Sequence, residues 1–249
     1  MQGGELGGSD RGDAEFDPHY TTGMTDPATD ASGHRARLRK RLIEQGPEAL
    51  LDHELVEYLL ALAIPRRDTK PLARALLAEH GGLGALLAAD GETLARSGLG
   101  EGAVAALKIA EAAALRLLRS KVSDRPVLAS WQALIDYLQA DMAHRLIERV
   151  RVLHLNSRNI LIRDELVAEG SIDQAAVYVR EIIRRAIDLG SAAIILVHNH
   201  PSGDPSPSRQ DITLTRELAQ AGKPLGITVH DHIVIGQTGH ASMRALGLL

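Results

Sequence analysis

The spacing of apolar residues first changes from a helical to a strand period near residue 145, and this change limits the folds that the chain can adopt. Residues 35–121 have the three-to-four-residue spacing of amphipathic helices. Residues 150–168 contain two short apolar strands around a polar turn at 156–159, which predicts a β-hairpin. After residue 179 the pattern is helix, strand, helix, strand. The sequence therefore predicts a small all-α domain followed by an α/β domain with a mixed sheet.

We divide the chain into three parts on this basis. Residues 1–33 are glycine-rich and hold seven acidic residues against one arginine, a net charge of −6, which predicts a disordered acidic tail. Residues 34–122 form the predicted helical domain. Residues 127–249 form the predicted α/β domain, after a short linker at 123–126.

Composition excludes several kinds of site. The chain has no cysteine, which excludes disulfides, thiolate nucleophiles and cysteine-bound zinc, so a metal would need His, Asp or Glu ligands. Aromatic residues make up only 2%, which argues against base-stacking platforms. No apolar run reaches the roughly 18 residues of a membrane span, and the N-terminus lacks a signal-peptide pattern. We therefore expect a cytoplasmic protein without a membrane partner.

The strongest functional signal lies at residues 197–211, Val-His-Asn-His-Pro-Ser-Gly-Asp-Pro-Ser-Pro-Ser-Arg-Gln-Asp. His198 and His200 are two residues apart at the end of a buried apolar strand, so their side chains point the same way. Asp211 on the next helix would add a carboxylate. Two imidazoles and one carboxylate leave the fourth position of a tetrahedral zinc for water, as in catalytic zinc sites.

Each part of this segment also has an ordinary explanation. A His-x-His pair can be two strand-end histidines without a ligand. Ser208-x-x-Asp211 is typical of a helix start, with Ser208 as the N-cap. The Pro-Ser-Gly-Asp-Pro run forms turns by composition alone. The combination at this spacing is what favours a metal site.

This combination resembles the JAMM motif of MPN-type metallohydrolases, and His-Asn-His-Pro-Ser-Gly-Asp-Pro is similar to its RadC branch. Residues 177–182 and 231–236, and 37–50 and 94–114 in the helical part, also resemble that branch. The resemblance covers about residues 34–249. It departs at Val179, where the family pattern leads us to expect proline. It implies a three-layer, mixed-sheet JAMM/MPN domain of cytidine-deaminase-like fold, preceded by a helix-hairpin-helix domain.

The resemblance also implies roles for individual residues. His198, His200 and Asp211 would bind Zn²⁺. Ser208 would donate a hydrogen bond to the water bound there, or to the oxyanion formed when that water attacks a carbonyl. Glu148, which directly precedes the first strand, would take the proton from water and pass it to the leaving amine.

Some assignments stay open. Glu165 and Glu169, on or just past the second hairpin strand, are the second choices for the proton-transferring glutamate. His230, Asp231 and His232 form a later polar cluster. Its side chains either hydrogen-bond the metal-ligating histidines from behind or are ordinary polar residues at a strand end.

These observations favour a zinc metallopeptidase that cleaves an amide or isopeptide bond in a peptide substrate. The alternative is a DNA-associated accessory protein with a non-catalytic metal site; the branch name implies DNA repair, which no residue demonstrates. A nuclease is the weakest of the three hypotheses, because two-metal phosphodiester chemistry would need more carboxylates near the histidines than the sequence offers. Residues 94–103 resemble a helix-hairpin-helix that could contact DNA phosphates non-specifically. A glycine turn between packed helices explains them equally, since nearby basic residues, among them Arg96 and Lys108, are few.

Overall fold

The computed structural model describes residues 27–122, 126–170 and 178–249. Of the predicted acidic tail, residues 1–26 lie outside the described residues, as do residues 123–125 of the predicted linker. The first helix begins at Pro27, so it includes residues that we had assigned to the tail.

The N-terminal region is helical, as its apolar spacing predicts. It contains α1 (Pro27–Gln45), α2 (Asp52–Ala63), α3 (Lys70–His80), α4 (Leu83–Ala88), α5 (Gly91–Arg96) and α6 (Glu101–Val122). Buried leucines of this region form one cluster between α2 and α6; they include Leu60, Leu76, Leu86, Leu94 and Leu107. Gly81 ends α3 with a left-handed φ of 82°, which glycine adopts without strain. No helix in the described part of the chain is both long and apolar enough to cross a membrane.

The C-terminal region is an α/β domain with a mixed sheet, which confirms the predicted fold class. Its elements are α7 (Trp131–Met142), β1 (Arg149–Leu155), β2 (Leu161–Glu169), α8 (Val179–Asp188), β3 (Ala193–Asn199), α9 (Arg209–Gly222), β4 (Thr228–Ile235) and β5 (His240–Ser242). The strand order is β2-β1-β3-β4-β5. Only the β3–β4 pair is parallel among these strands. The sequence predicts only a short apolar tail after β4, whereas the structure has a further strand there, β5, which pairs with β4.

Helices cover both faces of the sheet, so the domain has three layers. Ile195 and Val197 of β3 pack in the cluster that contains the apolar residues of α7. Ile194 and Leu196 pack in the cluster formed with α8 and α9. Every residue of β3 is buried, as expected for a central strand. Because side chains alternate along a strand, His198 follows Ile194 and Leu196 on the face covered by α8 and α9.

Candidate metal centre

The three predicted metal ligands meet at the carboxyl end of β3. His198 is fully buried, and the Nε2 atoms of His198 and His200 lie 2.9 Å apart. The carboxylate of Asp211, in the first turn of α9, lies 3.4 Å from Nε2 of His198 and 3.6 Å from Nε2 of His200. The structure thus brings together two strand-end imidazoles and one helix-borne carboxylate.

Glu148 lies beside this group. It directly precedes β1, whose Val150 pairs with His198 in the antiparallel β1–β3 ladder. One potential ligand atom from each of Glu148, His198 and His200 lies within 4.8 Å of the others. The structure therefore places the first-choice glutamate at the centre.

The two second-choice glutamates point elsewhere. The Glu165 carboxylate accepts a hydrogen bond from Nε of Arg185 at 2.9 Å. The Glu169 carboxylate accepts one from the Arg149 guanidinium at 3.1 Å. Among the described residues, neither belongs to the group around Glu148 that could hold a metal ion.

Ser208 and Asp211 form a capping box at the start of α9. Ser208 Oγ accepts from the Asp211 N–H at 3.2 Å, and Asp211 Oδ2 accepts from the Ser208 N–H at 2.7 Å. Asp211 can cap the helix and also bind a metal, because the cap uses one carboxylate oxygen and leaves the other available as a ligand. That other oxygen, Oδ1, is buried and has no hydrogen-bond partner among the described residues.

The contacts behind the two imidazoles determine which ring nitrogen carries hydrogen. Nδ1 of His200 lies 2.8 Å from the carbonyl oxygen of Asp204, which can only accept. In neutral His200 the hydrogen is therefore on Nδ1, and the Nε2 lone pair faces Asp211. This is the orientation that a metal ligand needs, since the backbone acceptor holds the ring from behind.

A longer chain of hydrogen bonds orients His198. The Thr215 hydroxyl donates to the Asp211 carbonyl oxygen at 2.6 Å, so it accepts from Nδ1–H of His232 at 2.5 Å. Nε2 of His232 then accepts from Nδ1–H of His198 at 2.8 Å. His232 is fully buried, and burial lowers its pKa well below the ordinary value, so it is neutral with one N–H. Nε2 of His198 keeps its lone pair toward the centre.

The electrostatics favour a cation between these groups. Burial by itself would raise the pKa of Asp211, but the adjacent His198 and His200 imidazoles outweigh burial and hold that pKa well below its usual range. The nearby Asp211 carboxylate raises the pKa of His200. An ionised buried carboxylate with an unsatisfied oxygen, facing two imidazole nitrogens, fits the ligand chemistry of a divalent metal such as zinc.

Comparison with known proteins agrees with this geometry. A family model described as RadC-like JAB domain matches residues 128–248, which include every residue of the centre. A UPF0758 protein of Rhodobacter capsulatus is 52% identical over 213 residues, which are 85% of this chain and 100% of that relative. The chain belongs to the RadC family. Its C-terminal domain is a JAB domain, the domain class of JAMM proteins. The alignment with the relative is longer than this domain, so RadC similarity extends into the helical region.

The later polar cluster of this RadC domain divides into two parts. His232 contacts His198, as described above. His230 instead lies 2.6 Å from Oδ1 of Asn159, and Asp231 accepts from the Ser242 hydroxyl at 2.5 Å. Neither contact involves a predicted ligand, so these two residues join loops and β5 to the sheet.

Sequence reasoning missed two residues at the centre. Thr215 lies four residues after Asp211, which places both on one helix face, so this spacing could have identified it. Asn199 stands between the two histidines, where strand alternation predicts a side chain that points away from them. It does point away, but it binds the segment that carries Glu148.

The helical hairpin of this RadC protein has the predicted glycine turn. Gly98, between α5 and α6, has a φ of 83°. Arg96 binds Glu92 at 2.8 Å, and Lys108 Nζ donates to the carbonyl oxygens of Leu87 and Ala89, each at 2.9 Å. Both basic residues that we singled out are thus bonded within the domain, and DNA contact stays a prediction.

Proposed function

We propose that this RadC protein is a zinc-dependent hydrolase, a metallopeptidase that cleaves an amide or isopeptide bond. The observation that carries the proposal is the convergence of His198, His200, the ionised Asp211 and Glu148 at the end of β3. The three ligands would hold Zn²⁺, which supplies Lewis acidity to activate water and polarise a carbonyl near neutral pH.

Glu148 and Ser208 would handle the protons and the developing charge. The Glu148 carboxylate takes a proton from the attacking water as the water oxygen bonds to the carbonyl carbon. It then passes this proton to the amide nitrogen as the carbon–nitrogen bond breaks. Ser208, which is exposed at the start of α9, would donate its hydroxyl hydrogen to the oxygen that gains negative charge.

The exposure of the site supports a peptide substrate. His198 and Asp211 are buried, whereas the His200 side chain is 20% exposed, so the centre opens on the His200 side. Leu146 and Ile147, directly before Glu148, are 80% and 52% exposed. Exposed aliphatic side chains beside a reactive centre suit contacts with peptide side chains. They do not suit the charged backbone of a phosphodiester.

The first experiment is the zinc content of the purified protein. We expect about one zinc per chain in the wild type and its loss in His200→Ala. His240→Ala is the matched control, because His240 is an exposed histidine on β5, outside the centre, and should not change the zinc content. Absence of zinc from the wild type after reconstitution would remove the basis for a zinc hydrolase.

A DNA-associated accessory role is the second candidate, supported by the left-handed turn at Gly98 between two helices. In this case the protein should bind duplex DNA with a steep dependence on salt concentration. Gly98→Ala and Arg96→Ala should then weaken binding. Equal binding by wild type and both variants would discard the hairpin as a DNA contact.

A further inference from the structure

The side chain of Asn199 connects the metal-ligand strand to the segment that carries Glu148. Asn199 is the last residue of β3, and only 1% of it is exposed. Its Oδ1 accepts a hydrogen bond from the Arg149 N–H at 2.8 Å. Its Nδ2 donates to the carbonyl oxygens of Arg145 and Ile147, each at 3.3 Å. The amide group of Asn199 therefore uses both its acceptor and its donor side on this segment.

Two of these bonds hold the peptide groups on either side of Glu148. The Ile147 carbonyl belongs to the peptide group before Glu148, and the Arg149 N–H belongs to the peptide group after it. Fixing both groups fixes the backbone dihedral angles of Glu148, and these set the direction of its side chain. The Glu148 carbonyl oxygen also accepts from the Gly170 N–H at 2.8 Å, which ties the same residue to the end of β2.

We propose that Asn199 is the positioning residue for Glu148, and that it sets the distance between this carboxylate and the metal ligands. The inference rests on the proposed function. Because Asn199 lies between His198 and His200 in the chain, the residue that positions Glu148 belongs to the same strand end as the two ligands. Asn199 points away from them, so it acts on the reaction only through Glu148.

The other end of the segment is anchored to the helical region. The Arg145 guanidinium donates to the Ala88 carbonyl at 2.8 Å and to the Glu111 carboxylate at 2.7 Å. These bonds do not depend on Asn199. Loss of the Asn199 amide should therefore release the peptide group before Glu148, while the Arg145 end of the segment and the bond between Gly170 and the Glu148 carbonyl stay in place.

The chain offers a matched control in Asn156. Oδ1 of Asn156 accepts from the backbone N–H groups of Arg158 and Ile160, at 2.9 and 3.0 Å, in the turn between β1 and β2. Asn156→Ala thus removes an asparagine that binds backbone at the opposite end of β1 from Glu148. The Asn156→Ala variant therefore measures how much stability is lost with such side-chain-to-backbone hydrogen bonds when the metal centre is unchanged.

The experiment compares wild type, Asn199→Ala, Asn199→Ser, Glu148→Gln and Asn156→Ala, each loaded with Co²⁺. We expect Asn199→Ala to bind about one Co²⁺ with less than about a tenfold loss of affinity, since its contacts do not include a ligand side chain. The Arg149 amide should exchange hydrogen at least about tenfold faster. The visible absorption spectrum should shift from that of wild type toward that of Glu148→Gln. Asn199→Ser, with a hydroxyl too short for all three bonds, should shift it in the same direction.

The outcomes separate the inference from the proposed function. If wild type binds neither Co²⁺ nor Zn²⁺, the proposed function fails. If wild type binds Co²⁺ and Glu148→Gln changes the spectrum, but both Asn199 variants keep the wild-type spectrum, only the positioning role is overturned. A purely structural Asn199 would lower stability as Asn156→Ala does and leave the spectrum unchanged. In the double variant Glu148→Gln with Asn199→Ala, the positioning role predicts no spectral change beyond that of Glu148→Gln.

Discussion

Nδ1 of His198 lies 2.8 Å from Nε2 of His232, so a buried neutral histidine stands directly behind a predicted metal ligand. The contact continues through Thr215 to the backbone carbonyl of Asp211. One hydrogen-bonded chain therefore links the ligand on β3 to the first turn of the helix that supplies the carboxylate ligand. It orients the His198 ring by bonds that do not involve a metal.

Replacing His232 should weaken metal binding although none of the predicted ligands is changed. In His232→Phe the Nδ1–H of His198 loses its acceptor, and loss of such a partner typically costs about 10–100-fold in metal affinity. Competition with a chelator measures the affinity. His230→Phe, on the same strand but bonded to Asn159, is the control and should keep wild-type affinity. Equal affinities for both variants would contradict a role for His232.

Thr215→Val should destabilise the metal-free protein. The valine is nearly isosteric, but it leaves the buried Nδ1–H of His232 without its acceptor, which costs about 1–3 kcal/mol. Denaturant unfolding measures the loss. Thr213→Val on the same helix removes an exposed hydroxyl that donates to the Arg209 carbonyl, and it should change stability by less than about 0.5 kcal/mol. A Thr215→Val protein as stable as this control would refute the hydrogen-bonded chain.

Zinc affinity should fall as the pH is lowered, and the fall should begin at a pH above the ordinary pKa of histidine. The nearby Asp211 carboxylate raises the pKa of His200 above its ordinary value in the metal-free protein, and zinc binds only the neutral imidazole. Below that raised pKa, each pH unit should therefore cost about tenfold in affinity, with release of a proton on binding. The lowered pKa of Asp211 keeps this carboxylate ionised, so Asp211 releases no proton when zinc binds. Titration calorimetry in two buffers measures the proton release, and pH-independent binding between about pH 6 and 8 would contradict the prediction.

Gly236→Ala should disturb the loop that links His200 to α9. A Cβ at Gly236 would lie 2.4 Å from the Gly203 carbonyl oxygen and 2.9 Å from the Pro205 nitrogen, so the loop must move. We expect a loss of about 1–3 kcal/mol in stability and weaker zinc binding. Gly239→Ala, whose Cβ meets nothing within 4 Å, is the control and should behave as wild type. If the two variants bind zinc alike, the Gly236 contact does not hold the loop.

Glu148→Gln should separate metal binding from turnover. The amide cannot take a proton from water, so hydrolysis of a peptide or isopeptide substrate should fall by about 10²–10⁴-fold while zinc stays bound. Glu169→Gln is the control, because Glu169 binds Arg149 outside the centre. Turnover that survives in Glu148→Gln would exclude Glu148 as the proton carrier.

Local patterns in the sequence identified much of this fold and many residues of the candidate centre. The hairpin of β1 and β2, the buried strand β3 and the helix that begins after Ser208 all follow from spacing within a few residues. The same is true of the His-x-His pair and of the capped Asp211. Strand β5 was missed, because three residues are too few for a period and their pairing depends on β4.

The sequence by itself determined the order of elements and the candidate ligands, because apolar periods and short motifs depend on near neighbours in the chain. Only the tertiary structure decided what stands behind those ligands. His198 meets His232 across 34 positions, and Asn199 meets Arg149 across 50. Such contacts arise when the sheet brings distant strands side by side, and no spacing along the chain records which side chains then face each other.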